Sequence, residues 1–296
     1  AGDAFVQWCN DQGGINGHEL ELTKYDAAIS DYQSQMEAAC GQEFAIVGDG
    51  AVQDNLWAST GAACGLIDIA GFAVTPEKSG TVGPDVVEET RVVQPVPNTA
   101  DTYEAGGLQT LAEQHPEAFQ HVGIVYGDFE TLRVQAAKGR QAIEAEGGTV
   151  VSEQTYNLVG EANWAPLATA LERDGVQWLY FVGQPGNLAL LQQSMAEVGY
   201  RPEVTFVEAN HYDPEYLAAA GDAAEGTYLR TVYVPFEEAD QNKATQDYLD
   251  MVEAVDGKVA RRRLFEYVMP NLYAEVMDLE PGVDGGKVAD FARDHY

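Results

Sequence analysis

The sequence predicts an α/β protein built on parallel sheets, and three observations carry that expectation. Short apolar segments alternate with amphipathic ones along the 296 residues. Several apolar runs are continuous rather than alternating: Ala45-Ile46-Val47, Gly123-Ile124-Val125-Tyr126 and Leu179-Tyr180-Phe181-Val182. Strands covered by helices on both faces need that composition. Glycine follows the amphipathic stretches at Gly41, Gly147, Gly175 and Gly199, where its tolerance of left-handed backbone ends a helix.

In chain order, the opening Ala1-Gly2-Asp3-Ala4-Phe5-Val6-Gln7-Trp8 reads as mid-helix with no cap before it. That suggests a fragment whose start, with any targeting signal, lies upstream. Strands are expected at His18–Asp26, Phe44–Gly48, Leu66–Ala70, His121–Tyr126, Thr149–Tyr156, Trp178–Val182, Val204–Val207 and Gly226–Val234. Helical spacing recurs at Asp31–Cys40, Asp54–Cys64, Leu132–Glu146, Ala165–Arg173 and Asn187–Val198. The rhythm breaks at Arg91–Thr99, where Pro95 and Pro97 lack the donor a central strand needs. It breaks again at Pro235. Two α/β lobes joined by extended crossovers follow: residues 1–98 and 236–296 in the first, 99–235 in the second.

Charge narrows the function. Sixteen Lys and Arg stand against 48 Asp and Glu, a net charge of −32. A surface that acidic does not suit nucleic acid, whose phosphates need basic groups, nor an anionic membrane. It suits an acidic soluble surface, in ordinary or high-salt surroundings. No apolar run approaches the ~18 residues of a membrane span.

The motifs of catalysis fail on inspection. Gly48-Asp49-Gly50-Ala51-Val52-Gln53 begins like a dinucleotide fingerprint, but Gln53 replaces the third glycine. Ala70-Gly71-Phe72 stands where a ribose-binding acid should end the next strand. Gly282-Val283-Asp284-Gly285-Gly286-Lys287-Val288 is one residue short of a phosphate loop and lacks its hydroxyl. The histidines, His18, His115, His121, His211 and His295, are scattered, so no metal site and no cofactor is expected. Neither is a nucleophile elbow present, and the chain is read as a non-enzyme. Cys9, Cys40 and Cys64 fit no zinc or redox spacing. Cys40 and Cys64 sit in matching Ala-Ala-Cys-Gly contexts at expected helix ends, so they could be bridged, or all three could be buried thiols.

Ligands of parallel sheets bind beyond the carboxyl ends of the strands. Those ends read Tyr25-Asp26, Gly48-Asp49-Gly50-Ala51, Phe72-Ala73-Val74-Thr75, Tyr126-Gly127-Asp128, Gly183-Gln184-Pro185 and Glu208-Ala209-Asn210. Glycine, small residues and single polar groups suit a pocket for a small polar solute.

The stretch Asn10-Asp11-Gln12-Gly13-Gly14-Ile15-Asn16-Gly17, followed by Leu20-Glu21-Leu22-Thr23-Lys24-Tyr25-Asp26, resembles the branched-chain amino acid (Leu/Ile/Val) binding family. These are the extracytoplasmic solute-binding proteins of ABC transporters. Phe44–Gly48, Val122–Tyr126, Glu146–Val151, Ala196–Gly199 and Ala224–Gly226 extend the likeness over most of residues 5–255; it weakens after Ala260. The resemblance implies a two-lobed type I periplasmic-binding fold with a first strand and a closing strand outside this sequence, and the tail Tyr273–Tyr296 matching late helices. It implies a monomer outside the cytoplasm that captures a small solute by hinge closure of an inter-lobe cleft: an amino acid first, with an amide, urea or small organic acid as the alternatives. A permease would receive the solute. A ligand-sensing module of the same fold and a nucleotide-cofactor oxidoreductase are the alternatives.

Carried over position by position, the resemblance places the ligand carboxylate at Gly50, Ala51 and Val52, with Val52 replacing a hydroxyl. It places Ala73, Val74 and Thr75 on a second loop, Thr75 supplying a hydroxyl. Glu208 would pair with the ligand ammonium. Gln184 and Thr131 stand at or near positions where aromatic walls are common. An exported family also favours a Cys40–Cys64 disulfide with Cys9 free.

Overall fold

The computed structural model describes residues 2–81, 90–94, 99–231 and 234–256. The Pro95/Pro97 break, the glycine loop at 282–288 and the tail at 273–296 lie outside them. The chain divides into two compact units, Ala1–Thr99 with Tyr233–Tyr296, and Ala100–Val232. The boundaries expected from the prolines were 98/99 and 235/236.

The first unit opens with helix α1 (Gly2–Asp11), which turns Phe5 and Cys9 inward. The segment from His18 to Asp26, expected as a strand, pairs with no strand among the described residues; Ile15 and His18 form only an isolated bridge. Among the described residues its alternating Leu and Glu pattern has no strand to pair with, and Leu22 stays exposed. What holds it is Asn10, whose side chain donates to the Leu20 carbonyl at 2.9 Å and accepts its N–H at 2.8 Å. Helix α2 (Tyr32–Ala39) buries Tyr32, Met36 and Ala39. These pack with Ile46, Trp57 and Leu66.

Strands β1 (Ile46–Val47), β2 (Asp68–Ile69) and β3 (Val92–Val93) form a parallel sheet in that order. Among the described residues β3 is an edge, consistent with a segment that leads into prolines. The helix expected at Asp54–Cys64 shrinks to a single 3-10 turn at Asp54–Leu56 followed by turns. Ser59-Thr60-Gly61 is a run of weak helix formers. Both hydroxyls bond back to the Leu56 carbonyl, at 3.1 and 2.7 Å, competing with the backbone ladder. Gly61 also lies on the Trp57 ring, where a Cβ would come within 2.1 Å of it. Cys40, just after α2, is joined to Cys64, near the end of these turns, while Cys9 is a buried free thiol. Helix α3 (Pro76–Ser79) follows β2 with proline in its first turn.

The second unit begins with α4 (Gly106–Gln114) and then alternates strictly: β4 (Val122–Gly127), α5 (Glu130–Ala145), β5 (Val150–Tyr156), α6 (Ala165–Arg173), β6 (Trp178–Val182), α7 (Pro185–Glu197), β7 (Val204–Val207), α8 (Pro214–Ala220) and β8 (Thr227–Leu229). All five strands are parallel in the order β5-β4-β6-β7-β8. β4, β6 and β7 are buried along their whole length, as their continuous apolar runs demand, while edge strand β5 has exposed positions. Trp178 of β6 packs between Phe119 and Phe206, at centroid distances of 5.0 and 6.1 Å. Gly139 brings α5 onto the Tyr180 ring, where a Cβ would come within 2.2 Å.

The chain then returns to the first unit. Helix α9 (Lys243–Asp256) lays Tyr248, Met251 and Val252 against Phe5 and Cys9 of α1. Among the described residues, no helix is long and apolar enough to cross a membrane.

Candidate functional site

In doubly wound sheets the loops at the carboxyl ends of the strands, above all where the strand order reverses, are where ligands bind. In the second unit that reversal lies between β4 and β6. The loops after β4 and β5 enclose an open depression of about 340 Å³ lined by Asp128, Thr155, Tyr156, Asn157, Leu158 and Glu161. None of Thr131, Gln184 or Glu208 lines it. Gly183 after β6 admits no side chain, since a Cβ would fall 1.7 Å from the Tyr156 hydroxyl oxygen. The Gln184 N–H lies 3.3 Å from that hydroxyl and donates to it.

Glu208 follows β7 directly and its side chain is only 16% exposed. Its Oε1 accepts from the hydroxyls of Tyr180 (2.9 Å) and Tyr103 (3.2 Å) and from the Gln135 amide (3.3 Å). Its Oε2 accepts from Nε of Arg230 (2.8 Å) and makes an ion-pair contact with Nη2 (2.7 Å), a two-pronged guanidinium contact. The remaining nitrogen of Arg230 reaches Glu104, and the guanidinium lies 5.0 Å from the Tyr103 ring centroid. Burial opposes the Arg230 charge, but Glu208 and Tyr103 hold its pKa above the ordinary value. Nearby Lys138 is buried, and desolvation with repulsion from Arg230 lowers its pKa to about 8. So the group assigned to a ligand ammonium already holds a cation, and its five contacts come from this unit's own side chains.

In the first unit, β1 runs through Gly48, at φ 75, to Asp49. Asp49 is bound by the Lys78 ammonium of α3 and accepts from the Tyr32 hydroxyl at 2.9 Å. Lys78 is fully buried. It lies 2.8 Å from Oδ2 of the equally buried Asp68, and 5.2 and 5.5 Å from the ring centroids of Trp57 and Tyr32. The Asp68 contact is an ion pair without hydrogen-bond alignment. Burial pushes the Asp68 pKa up to about 7 against the pull of Lys78. Burial alone would lower Lys78, but Asp68 and Asp49 reverse this and hold it well above its ordinary value.

Of the expected ligand loops, Gly50 is exposed and Ala51 and Val52 are half-buried. Ala73, Val74 and Thr75 are fully buried. The N–H groups of Val74 and Thr75 donate to Oδ2 of Asp54, at 2.7 and 3.2 Å. Thr75 keeps a buried hydroxyl with no hydrogen-bond partner. Thr131 is buried in the first turn of α5, and Gln184 is exposed at the start of α7. Asp54, Lys78, Tyr103, Gln135 and Arg230 escaped the sequence reading. A signal existed for one of them: with 16 basic residues against 48 acidic ones, a cation next to a strand end, as Arg230 is to β8, is unusual in this chain.

His211, after β7, is buried between Phe181 and Tyr216, with edge-on ring contacts at 5.8 and 5.9 Å. Burial lowers its pKa to about 4. Unfolded His211 takes a proton as pH falls through its ordinary value near 6.5, while the folded residue resists until about 4. Its contribution to stability is therefore complete above about 6.5 and is lost as pH falls through that window. Urea denaturation of His211→Phe should show a shallower loss of stability between pH 6.5 and 4 than the parent chain; parallel pH curves would refute the assignment.

A profile of the family described as periplasmic binding protein matches residues 1–278. A leucine-, isoleucine-, valine-, threonine- and alanine-binding protein of Pseudomonas aeruginosa is 25% identical over 260 residues. That alignment takes in 82% of this chain, which spans 63% of the relative. The closed conformation of the corresponding binding protein from Brucella ovis superimposes with a TM-score of 0.75 at 15% identity, over 98% of this chain and 76% of that one. A leucine-binding protein from Thermotoga maritima gives 0.75 at 15%, over 98% and 81%. The structural likenesses speak to the fold. With the profile running through both units, they agree with parallel sheets whose polar carboxyl edges carry the loops described above: the chain belongs to the periplasmic binding protein family.

Proposed function

We propose that the chain is the solute-capturing component of an ABC-type uptake system. It works outside the cytoplasm as a monomer, binds a small polar solute of amino-acid size with groups from the carboxyl edges of its sheets, and passes it to a membrane permease. The observation that carries this reading is the family match over residues 1–278. The named relatives, which bind leucine and other small amino acids, support the size of solute. The Cys40–Cys64 bridge supports an oxidising compartment. A thermal-shift screen of the amino acids, their amides and NAD, followed by calorimetry of each positive compound, tests it. At least one solute of amino-acid size should raise the melting temperature. Binding of NAD with indifference to every small solute would replace this reading with the cofactor-enzyme one.

A further inference from the structure

We propose that Arg230 is a clamp: it ties together the two segments by which the chain crosses between its units, with Glu208 as the anchor of the tie. The chain passes from the first unit to the second at Thr99–Ala100 and returns at Val232–Tyr233. Tyr103 and Glu104 come soon after the first crossing, and Arg230 just before the second. In sequence Glu104 and Arg230 are 126 residues apart. In the fold, Nη1 of Arg230 donates to Glu104, and the guanidinium lies 5.0 Å from the Tyr103 ring centroid. The stem of Arg230 runs over the first turn of α4, where a Cβ on Gly107 would lie 3.8 Å from its Cγ.

Two features make this more than a local ion pair. The anchor belongs to the core of the unit. Glu208 accepts from Arg230 Nε at 2.8 Å, from the Tyr103 hydroxyl at 3.2 Å and from the Tyr180 hydroxyl at 2.9 Å. One carboxylate thus holds a residue from each crossing segment and a third from the buried strand β6. With side chains 17% and 16% exposed, Arg230 and Glu208 form a charge-assisted contact that solvent and salt screen only in part. The backbone alone gives the return segment little hold, since β8 has three half-buried residues and is an edge among the described residues. A second strut runs the same way: the Tyr228 hydroxyl of β8 lies 3.2 Å from Nε2 of His115, just after α4. Lys138 belongs to the same cluster, repelled by Arg230 and attracted by Glu208, Glu104 and Asp101. Those acids therefore keep a nearby cation when the guanidinium is removed, so the cluster can be cut at Arg230 without leaving it purely anionic. Movement of one unit against the other, which the solute-capture reading requires, then starts from one charge-held root rather than from two independent segments.

Hydrogen–deuterium exchange of the full chain, with no solute present, tests the clamp. Arg230→Met keeps most of the stem and removes the guanidinium. Amides in residues 103–110 and 227–231 should both exchange roughly tenfold or more faster, while β4 and β6 keep the protection of the parent chain. Glu104→Gln alters the first crossing segment alone. It should speed exchange at 227–231 in the parent background and leave it unchanged in Arg230→Met, because the coupling runs through the guanidinium. Faster exchange confined to the substituted residue's own segment, or spread evenly over the second unit, overturns the clamp. Additive effects of the two substitutions overturn it as well. If Arg230→Met does not fold, Glu104→Gln alone decides, by whether its effect reaches 227–231. Solute capture stands or falls on its own screen, since no solute enters this measurement.

Discussion

Replacing Lys78 by methionine is expected to cost the first unit about 3–5 kcal/mol, the range for breaking a buried ion pair from one side. The variant keeps most of the side chain's bulk and removes only the ammonium between Asp49 and Asp68. Two carboxylates then face a low-dielectric interior without a cation. Asp68 suffers more, because it is fully buried and neither of its oxygens makes a hydrogen bond. The sign of the pH dependence follows. A carboxyl whose folded pKa is raised binds its proton more tightly folded than unfolded, so it costs stability as pH rises above its unfolded value. The deficit of Lys78→Met should be smallest near pH 4 and grow toward pH 7 and beyond, read from urea denaturation across that range. Adding Asp68→Leu should recover part of the loss, since the remaining acid, Asp49, keeps the Tyr32 hydroxyl. A deficit under 1 kcal/mol at pH 8 would mean that the cluster is not held by charge.

Reduction of the Cys40–Cys64 bond should lower stability by roughly 3 kcal/mol, the chain-entropy value for a closed loop of this size. The two cysteines are 24 residues apart, and their Cα atoms lie 5.9 Å from one another. The loop between them includes β1 and the turns that carry Asp54 and Trp57. The bond thus tethers the end of α2 to a segment whose helical propensity is poor. Denaturant curves with and without dithiothreitol measure the effect. An unchanged midpoint would show that the turns are held by the packing of Trp57 and its hydrogen bond to the Thr90 carbonyl, 2.6 Å long.

Much of the second unit was legible in the sequence because its strands are long and buried on both faces. Trp178–Val182 and Val204–Val207 were read to the residue, and the helices after β4 and β6 within about two residues. The first unit was harder. Its strands have two residues each, too few for periodicity to define. The Leu and Glu alternation at His18–Asp26 has the pattern of a strand but no pairing strand among the described residues, and Ser59-Thr60-Gly61 interrupts an apparent helix. The site shows a sharper limit. Glu208 could be singled out because a strand end is a local feature. Its partners come from 22, 28, 73 and 105 residues away, on separate elements that only the fold brings together. Arg230 therefore remained outside the reading, and with it the fact that the carboxylate was already neutralised.

The packing of α1 against α9 bears on how the chain is made. The second unit is one uninterrupted stretch, whereas the first needs residues from both sides of it. During synthesis the inserted unit is complete before α9 emerges, reversing the usual order in which the N-terminal part folds first. Until α9 arrives, nothing of it covers Phe5 and Cys9. Before that, an oxidant could join Cys9 to Cys40 or Cys64 in place of the Cys40–Cys64 bond. Docking of α9 closes that window, so a helix made after the whole of the second unit decides whether Cys9 stays a free thiol.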